Sequence, residues 1–325
     1  MKTTRMISGA GLLLATVLLV FPGPPSVRAF VGINYGPFHK SGQMPGTPIP
    51  DSQFISDLTV LSQKFAFIKT YGDDQGSNLD RVVPLAAVKF PQLKIYQGVF
   101  ENSAFNSSAD MTYLNTAIAL ANNYPKTVAA IVVGNECLNT DSNPDPISVS
   151  QLIADLQYVR QRVKNNGNVQ VTTELGYQAA VQYGAQLEPY VDSMMINIYP
   201  FYAPVPINGA ISNLIGAYNM FKNQFKAKQV IIGETGWPSA GSANGSAIPS
   251  VTNEATYTRQ NFSSSNQLGS NFLFSAFDEP WLITQNSWGP HWGLWTSGGT
   301  PKFSFTASQP PAAWRAPTFR SWGQD

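Results

Sequence analysis

Apolar residues along the chain fall into eight short runs that alternate with longer stretches of mixed character. The runs cover residues 30–35, 65–71, 93–100, 128–135, 169–173, 194–199, 230–233 and 271–277. Most of these runs are almost continuously apolar, which is typical of parallel strands that are covered on both faces. The pattern therefore predicts eight buried parallel strands.

The stretches between these runs have the spacing of amphipathic helices. One apolar stripe follows Asp51, which we expect to cap its helix. The stripe positions are Phe54, Ile55, Leu58 and Leu61, then Leu114, Ile118 and Ala121, then Ile153, Leu156, Val159 and Val163. Successive strand ends lie roughly 25 to 44 residues apart, the length of a strand–helix unit. Eight such units predict an α/β fold with a single domain, the (β/α)8 or TIM barrel.

A doubly wound open sheet is the alternative fold, because it also alternates strands with helices. Its usual fingerprint, Gly-x-Gly-x-x-Gly, is absent from residues 30–325, which favours the barrel. Residues 301–325 show no clear periodicity, and we expect them to wrap around the outside of the barrel.

The N-terminus has the order of a secretory signal peptide. Lys2 and Arg5 precede an apolar run at residues 7–21, and the small-residue site Val27-Arg28-Ala29 follows. The apolar run has about 15 residues, fewer than the roughly 20 that cross a bilayer. We therefore expect residues 1–29 to be removed and residues 30–325 to form one exported domain with no membrane span. An uncleaved signal anchor is the alternative.

The composition is poor in charge and rich in aromatic residues. Charged residues make up 12% of the chain, and 20 Lys and Arg against 19 Asp and Glu leave a net charge of +1. This balance argues against nucleic acid or an anionic membrane as a partner. Aromatic residues also reach 12%, which suits a neutral, ring-shaped ligand such as a sugar.

Residues for metal or thiol chemistry are scarce. Cys137 is the single cysteine, so no internal disulfide can form, and we expect it to be a small buried packing residue. The two histidines, His39 and His291, give no zinc-ligand spacing. We expect no metal, no cofactor and a monomeric protein.

The glutamates are concentrated at the predicted strand ends. Of seven glutamates, five follow the C-terminal ends of the third, fourth, fifth, seventh and eighth strands. They are Glu101, Glu136, Glu174, Glu234 and Glu279. In a barrel these ends converge on the face where active sites are built. For Glu101 and Glu174, capping of a helix or binding of backbone amides is an equally good interpretation.

Glu136 and Glu234 have the most suggestive surroundings. Asn135 precedes Glu136 directly, and its amide can hydrogen-bond a sugar hydroxyl in the same cleft. Trp237 follows Glu234 by three residues and would place an indole face beside that carboxylate. The fourth and seventh strands lie across the barrel mouth, so these two carboxyls can flank one bound bond. Glycoside hydrolysis requires such a pair, an acid and a nucleophile or base.

These residues also carry a family resemblance that covers almost all of residues 30–325. The motifs resemble those of glycoside hydrolase family 17, the β-1,3-glucanases and β-1,3-glucanosyltransferases. In chain order they are GINYG at 32–36, IKTYG at 68–72, GNE at 134–136, NIYPFY at 197–202, GETGWPS at 233–239, FDEPW at 277–281 and HWGL at 291–294.

The resemblance implies a (β/α)8 fold and retaining chemistry on β-1,3-glucan or laminari-oligosaccharides, in the cell wall or outside the cell. By motif position, Glu136 becomes the acid/base and Glu234 the nucleophile. Asn135 would hold the 2-hydroxyl of the reacting sugar, and Tyr199 would orient Glu234. The residues implied to line substrate subsites are Tyr35, Tyr71, Tyr202, Trp237, Asp278 and Glu279.

One departure concerns the segment after the eighth strand. A Lys often follows Asp-Glu-Pro-Trp in the family, but Leu282 stands here, so any electrostatic help from that Lys is missing. The run at 274–281 resembles compact microbial members, several of which are glucanosyltransferases, and this favours transfer over hydrolysis. A barrel glycosidase acting on another β-glycan, or a non-catalytic carbohydrate-binding barrel, remains the alternative.

Overall fold

Eight parallel strands close into a barrel in the computed structural model of this chain, which describes residues 29–101, 107–138, 145–164 and 169–306. The strands are β1 Val31–Asn34, β2 Phe67–Lys69, β3 Lys94–Val99, β4 Val128–Asn135, β5 Gln170–Leu175, β6 Ser193–Asn197, β7 Gln229–Thr235 and β8 Asn271–Leu273. Each strand pairs with its neighbours in sequence, and β1 pairs with β8 to close the ring. The predicted (β/α)8 fold is confirmed.

Helices follow the strands and cover the barrel from outside. They are α1 Asp51–Ser62, α2 Val82–Lys89, α3 Ser107–Asn123, α4 Val149–Arg162, α5 Tyr177–Leu187, α6 Ile207–Gln224, α7 Val251–Ser263 and α8 Ser265–Leu268. The predicted cap of α1 is wrong. Pro50 occupies the cap position, and Asp51 is the first helical residue and pairs with Arg81 at 2.7 Å.

The two ends of the barrel interior have opposite chemistry. Phe30, Phe67, Tyr96 and Phe272 fill the end where the strands begin, and the rings of Phe30 and Phe67 stack at 3.8 Å. Buried polar side chains instead occupy the end where the strands finish. They include Asn34, Lys69, Glu174, Asn197 and Glu234. Because burying polar groups is costly unless they are paired, this polar end marks the functional face.

The chain beyond β8 packs on that face. The predicted strand at 271–277 is longer than β8, because Ser275 exchanges backbone hydrogen bonds with Trp292 and Leu294 instead of a barrel strand. Short 3₁₀ helices at Pro280–Thr284 and Gly289–His291 connect these segments. The predicted signal peptide and most of the predicted wrapping tail lie outside the described residues. Within the described residues, no helix is long and apolar enough to cross a membrane.

Candidate active site

A cleft of about 1300 Å³ opens at the C-terminal ends of the strands. Residues from all eight strand ends and the loops after them line the cleft, including Tyr71, Asn135, Glu136, Tyr199, Tyr202, Glu234, Phe274, Glu279, Trp281, Leu282 and Trp292. Both sequence-predicted carboxylates, Glu136 and Glu234, therefore face one cleft.

Three donors converge on Glu234 at the end of β7. The Tyr71 hydroxyl donates to Oε1 at 2.7 Å, and the Tyr199 hydroxyl donates to Oε2 at 2.6 Å. Lys69 Nζ lies 3.2 Å from Oε1. Because an ionised carboxylate only accepts hydrogen bonds, this arrangement suits Glu234 as a fixed carboxylate anion.

The hydroxyls of the two tyrosines stay protonated and therefore act as hydrogen-bond donors. Burial, followed by the charge of Glu234, raises the pKa of both Tyr71 and Tyr199 well above the ordinary value. The Phe274 ring makes edge contacts with both, at centroid distances of 6.4 Å to Tyr71 and 6.0 Å to Tyr199. Phe274 thus holds the rings on either side of the carboxylate.

Glu136 occupies an unusual turn just after β4. Its φ of 47° lies in the left-handed region, which non-glycine residues rarely adopt, and Gly134 has a φ of 71°. At Gly134 a Cβ would lie 2.6 Å from Cys137 Sγ, so only glycine fits. Such backbone strain at a cleft carboxylate is typical of functional positions.

Asn197, at the end of β6, links the residues at this turn. Its Nδ2 donates to Glu136 Oε1 at 2.8 Å and lies 3.4 Å from Asn135 Oδ1. Both Asn135 and Glu136 are partly exposed. The side chain of Asn135 therefore sits beside the carboxylate, as the sequence motif predicts.

A buried pair of hydrogen-bonded side chains lies beneath the two carboxylates. Lys69 Nζ contacts Glu174 Oε2 directly, and both side chains are essentially inaccessible to solvent. Burial raises the pKa of Glu174 to about 8, and the charge of Lys69 opposes this rise. The sequence motifs include Lys69 and Asn197 but give them no role. A lysine at the end of an otherwise apolar strand is the signal that could have found Lys69.

Glu279 and Asp278, adjacent in sequence, face different surroundings. Glu279 lines the cleft against Gly36, and burial raises its pKa to about 7 while His39 opposes the rise. Asp278 pairs with Lys302 at 2.7 Å and accepts from the backbone N–H of Gly293. Lys302 therefore supplies a cation to this segment, although Leu282 stands where the family Lys is expected.

Of two predicted subsite aromatics, Trp237 does not line the cleft, and Tyr35 lines it as a fully buried residue. Trp237 is 1% exposed, donates from Nε1 to the Ile248 carbonyl at 3.0 Å, and packs edge-on to the Phe201 ring. The chain turns the indole into the outer core, so it gives no sugar platform. Tyr35 is fully buried and donates to Asp57 Oδ2 at 2.7 Å, which makes it part of the wall.

Other aromatics take the position expected of Trp237. Tyr202 is 51% exposed at the rim, where its ring lies 6.0 Å from that of Trp292. Trp292 in turn packs edge-on against Tyr199 at 5.3 Å. Trp281 also lines the cleft and is partly exposed. Within the described residues, no group of three or more His, Cys, Asp or Glu side chains could hold a metal ion.

Comparison with known proteins places this site in a family. The family model of the BtgE/BtgC glycoside hydrolase domain matches residues 32–293, which include the barrel and every cleft residue described above. The chain belongs to the BtgE/BtgC glycoside hydrolase family.

Relatives in this family carry names from β-glucan chemistry. The chain is 25% identical over 290 residues to the probable glucan endo-1,3-beta-glucosidase btgC of Aspergillus terreus, a match covering 82% of this chain and 44% of the relative. It is 27% identical over 287 residues to the glucan 1,3-beta-glucosidase BGL2 of Candida albicans, covering 80% and 88%. The chain thus spans less than half of the Aspergillus protein and most of the Candida protein.

A solved structure agrees with the fold and the family. The glycoside hydrolase family 17 β-1,3-glucanosyltransferase of Rhizomucor miehei superposes with a TM-score of 0.70 at 25% identity, covering 86% of this chain and 98% of that one. An active-site mutant of that enzyme, in complex with laminaritriose, superposes with the same score. The resemblance to glycoside hydrolase family 17 is confirmed.

Proposed function

We propose that this protein is a retaining enzyme that cleaves internal β-1,3-glucosidic bonds and passes the glucanosyl unit to a sugar acceptor or to water. The observation that carries the proposal is the contrast between two carboxylates in one cleft. Glu234 is fixed by three donors, whereas Glu136 sits on a strained turn with an amide beside it. The names of the relatives support β-1,3-glucan as the substrate.

Glu234 is the nucleophile in this proposal. One of its oxygens attacks the anomeric carbon and forms a glycosyl ester, while the bond from that carbon to the leaving oxygen breaks. Tyr71 and Tyr199 hold the attacking carboxylate in a fixed orientation, so little reorganisation is needed at the moment of attack. Lys69 balances the negative charge before the ester forms.

Glu136 serves as the acid and then as the base. It protonates the leaving glycosidic oxygen in the first step, and in the second step it takes a proton from the incoming acceptor. Because Glu234 carries the negative charge in the free enzyme, the proton that the reaction needs resides on Glu136. Formation of the ester removes that charge, which allows Glu136 to remain ionised as the base.

Further cleft residues supply binding contacts in this proposal. Asn135 holds the 2-hydroxyl of the reacting sugar, and Glu279 binds hydroxyls on the side of the cleft formed by β1 and β8. Tyr202 offers its exposed ring at the rim. Asp278 contributes through its pairing with Lys302 rather than by touching sugar.

A product time course on laminari-oligosaccharides at high concentration tests the proposal. Products longer than the starting sugar identify glucanosyl transfer, which we expect to dominate, and exclusively shorter products identify endo-hydrolysis. Retention of the β configuration in the first-formed product is expected by proton NMR. The Glu234→Gln variant is the control for contaminating activity. Brisk cleavage of cellulose or mannan without action on laminarin would overturn the β-1,3 assignment.

The proposed location is outside the cell or in the cell wall. The signal-peptide order of residues 1–29 supports export. N-terminal sequencing of the protein recovered from culture medium or cell wall should begin at Phe30. A monomeric state and the lack of nucleic-acid partners stay predictions from the composition.

A further inference from the structure

Glu174 occupies the centre of the polar end of the barrel. Its side chain is fully buried at the end of β5, between β4, which leads to Glu136, and β6, which ends at Asn197. The Glu174 carbonyl also accepts from the backbone N–H of Glu136 at 2.9 Å. Its two carboxyl oxygens contact different neighbours, and this difference sets its role.

One carboxyl oxygen of Glu174 faces a cation. Oε2 contacts Lys69 Nζ, and the same ammonium lies 3.2 Å from Glu234 Oε1. Lys69 is fully buried, so its position is fixed by these two carboxyl groups and by the Tyr71 ring, whose centroid is 4.5 Å away. Glu174 therefore controls where the ammonium stands relative to the proposed nucleophile.

The other carboxyl oxygen of Glu174, Oε1, has no hydrogen-bond donor among the described residues. The buried Asn197 Oδ1 has no donor among these residues either. Both oxygens crowd the same face of Gly233, where a Cβ would lie 2.2 Å from Glu174 Oε1 and 2.9 Å from Asn197 Oδ1. Two neighbouring buried acceptors without a donor would cost a large desolvation penalty. A single proton on Glu174 would satisfy both.

We propose that Glu174 is a positioning residue that carries a proton on Oε1, donates it to Asn197 Oδ1, and accepts from Lys69 through Oε2. Because Asn197 Oδ1 accepts this hydrogen bond, the amide is oriented with its Nδ2 towards Glu136 Oε1, 2.8 Å away. One buried neutral acid thus sets the side chains that hold both proposed catalytic carboxylates. This inference rests on the roles proposed for Glu136 and Glu234.

The charges around Glu174 agree with a neutral acid. Among the described residues, the titratable groups that face it are Lys69 from β2, Tyr71 just beyond β2, Glu136 just beyond β4 and Glu234 from β7. Lys69 is the one cation among them, and Glu234 already shares it. Burial accordingly raises the pKa of Glu174 to about 8.

Two substitutions at Glu174 distinguish a neutral acid from an ionised one. In Glu174→Gln the amide N–H can donate to Asn197 while the carbonyl accepts from Lys69, so we expect kcat on laminari-oligosaccharides within about threefold of wild type. Glu174→Met keeps the volume but cannot donate, and we expect kcat to fall about 100-fold with KM changed less than about threefold. An ionised Glu174 predicts instead that Gln is as damaging as Met.

Asp192→Asn is the matched control. Asp192 is also a buried carboxylate, but it lies just before β6 at the opposite end of the barrel, where it pairs with Arg160 at 2.7 Å. We expect this variant to lose thermal stability while keeping kcat and the shape of its pH profile. If kcat were sensitive to the loss of any buried carboxylate, it would fall in this variant as well.

Infrared difference spectroscopy tests the proton without any substrate. Wild type minus Glu174→Met, at about pH 6, should show the carbonyl stretch of a protonated carboxylic acid, and this band should vanish well above the titration of Glu174. A carboxylate band pair in its place, or equal kcat losses in the Gln and Met variants, overturns the proposal. If the wild type showed the acid band but had no activity on laminari-oligosaccharides, the proposed function would be refuted. The proton on Glu174 would still be established.

Discussion

The two carboxylates proposed for catalysis occupy contrasting surroundings at equivalent points of the barrel. Glu234 is the penultimate residue of β7, is 6% exposed and receives donors from Lys69 of β2, from Tyr71 just beyond β2, and from Tyr199 beyond β6. Glu136 follows β4 on left-handed backbone, is partly exposed and receives the Asn197 amide. The same residue type is thus placed once as a buried carboxyl among hydrogen-bond donors and once as a partly exposed residue.

This difference is the basis of the two roles that we propose for identical side chains. An anion surrounded by donors is stabilised and immobile, which suits attack at a single carbon. A partly exposed carboxyl at the cleft can gain and lose a proton during each turnover. Each substitution below removes one element of this contrast.

The largest effect is expected from Glu234→Gln. Because the amide cannot form a glycosyl ester, kcat should fall roughly 10⁴-fold or more, the scale seen when a covalent nucleophile is removed. Steady-state kinetics on laminari-oligosaccharides measure this, with circular dichroism as the check on folding. Near-normal turnover in a folded variant would show that the nucleophile is elsewhere.

Glu136→Gln should cost about 10²- to 10⁴-fold on natural substrates, the usual contribution of general acid–base catalysis. An aryl β-laminaribioside with a good leaving group needs no proton, so its glycosylation step should be nearly unaffected. Added azide should then restore turnover and give a β-glycosyl azide, detected by NMR.

The control for that experiment is Glu234→Gln under the same conditions. It should not yield the β-azide, because no glycosyl ester forms. If azide rescued Glu234→Gln with the β product and failed with Glu136→Gln, the two roles would have to be exchanged.

Tyr199→Phe and Tyr71→Phe each remove one of the hydrogen-bond donors that hold Glu234. A hydrogen bond to a charged group contributes about 1.5–3 kcal/mol, so we expect kcat to fall about 10-fold or more in each variant, with a smaller change in KM. Tyr96→Phe, the same change at the buried apolar end of the barrel, is the matched control and should leave kcat unchanged. Equal losses in all three variants would indicate general destabilisation.

The smallest effect is expected for Glu279, a third carboxyl group in the cleft. Its burial favours the protonated form relative to that of a solvent-exposed glutamate. Its pKa of about 7 in the folded state exceeds the ordinary 4.5, so the folded protein binds more protons than the unfolded chain. This contribution to stability is complete below about pH 4.5 and is lost as pH rises through about 7. Thermal unfolding across this range should show wild type losing a few degrees more than Glu279→Gln, within about 5 °C. Parallel curves would show that Glu279 ionises normally.

The fold could be predicted because its signal is local. Buried parallel strands are written in the sequence as short apolar runs, separated by amphipathic helices and repeated at the length of a strand–helix unit. The eight predicted runs match the eight strands. Their ends were predicted less well, as at 271–277, because apolar residues just beyond a strand can pack on loops instead of pairing.

The direction of side chains beyond a strand end could not be predicted in the same way. Trp237 lies only three positions after Glu234, yet the indole packs into the outer core beside Phe201. Trp292 is far from Glu234 in sequence, yet it lies against Tyr199 in the cleft. Sequence proximity therefore failed as a guide to which aromatic ring faces the cleft.

The sequence by itself determined the barrel, the face of the active site and the presence of glutamates at its strand ends, because strand period and chain order follow from neighbouring residues. Only the tertiary structure decided how those glutamates differ. Lys69 and Glu174 are 105 residues apart, and Tyr199 and Glu234 are 35 apart. Their contacts depend on closure of the barrel, which brings separate strand ends into one buried space where every charge must find a partner.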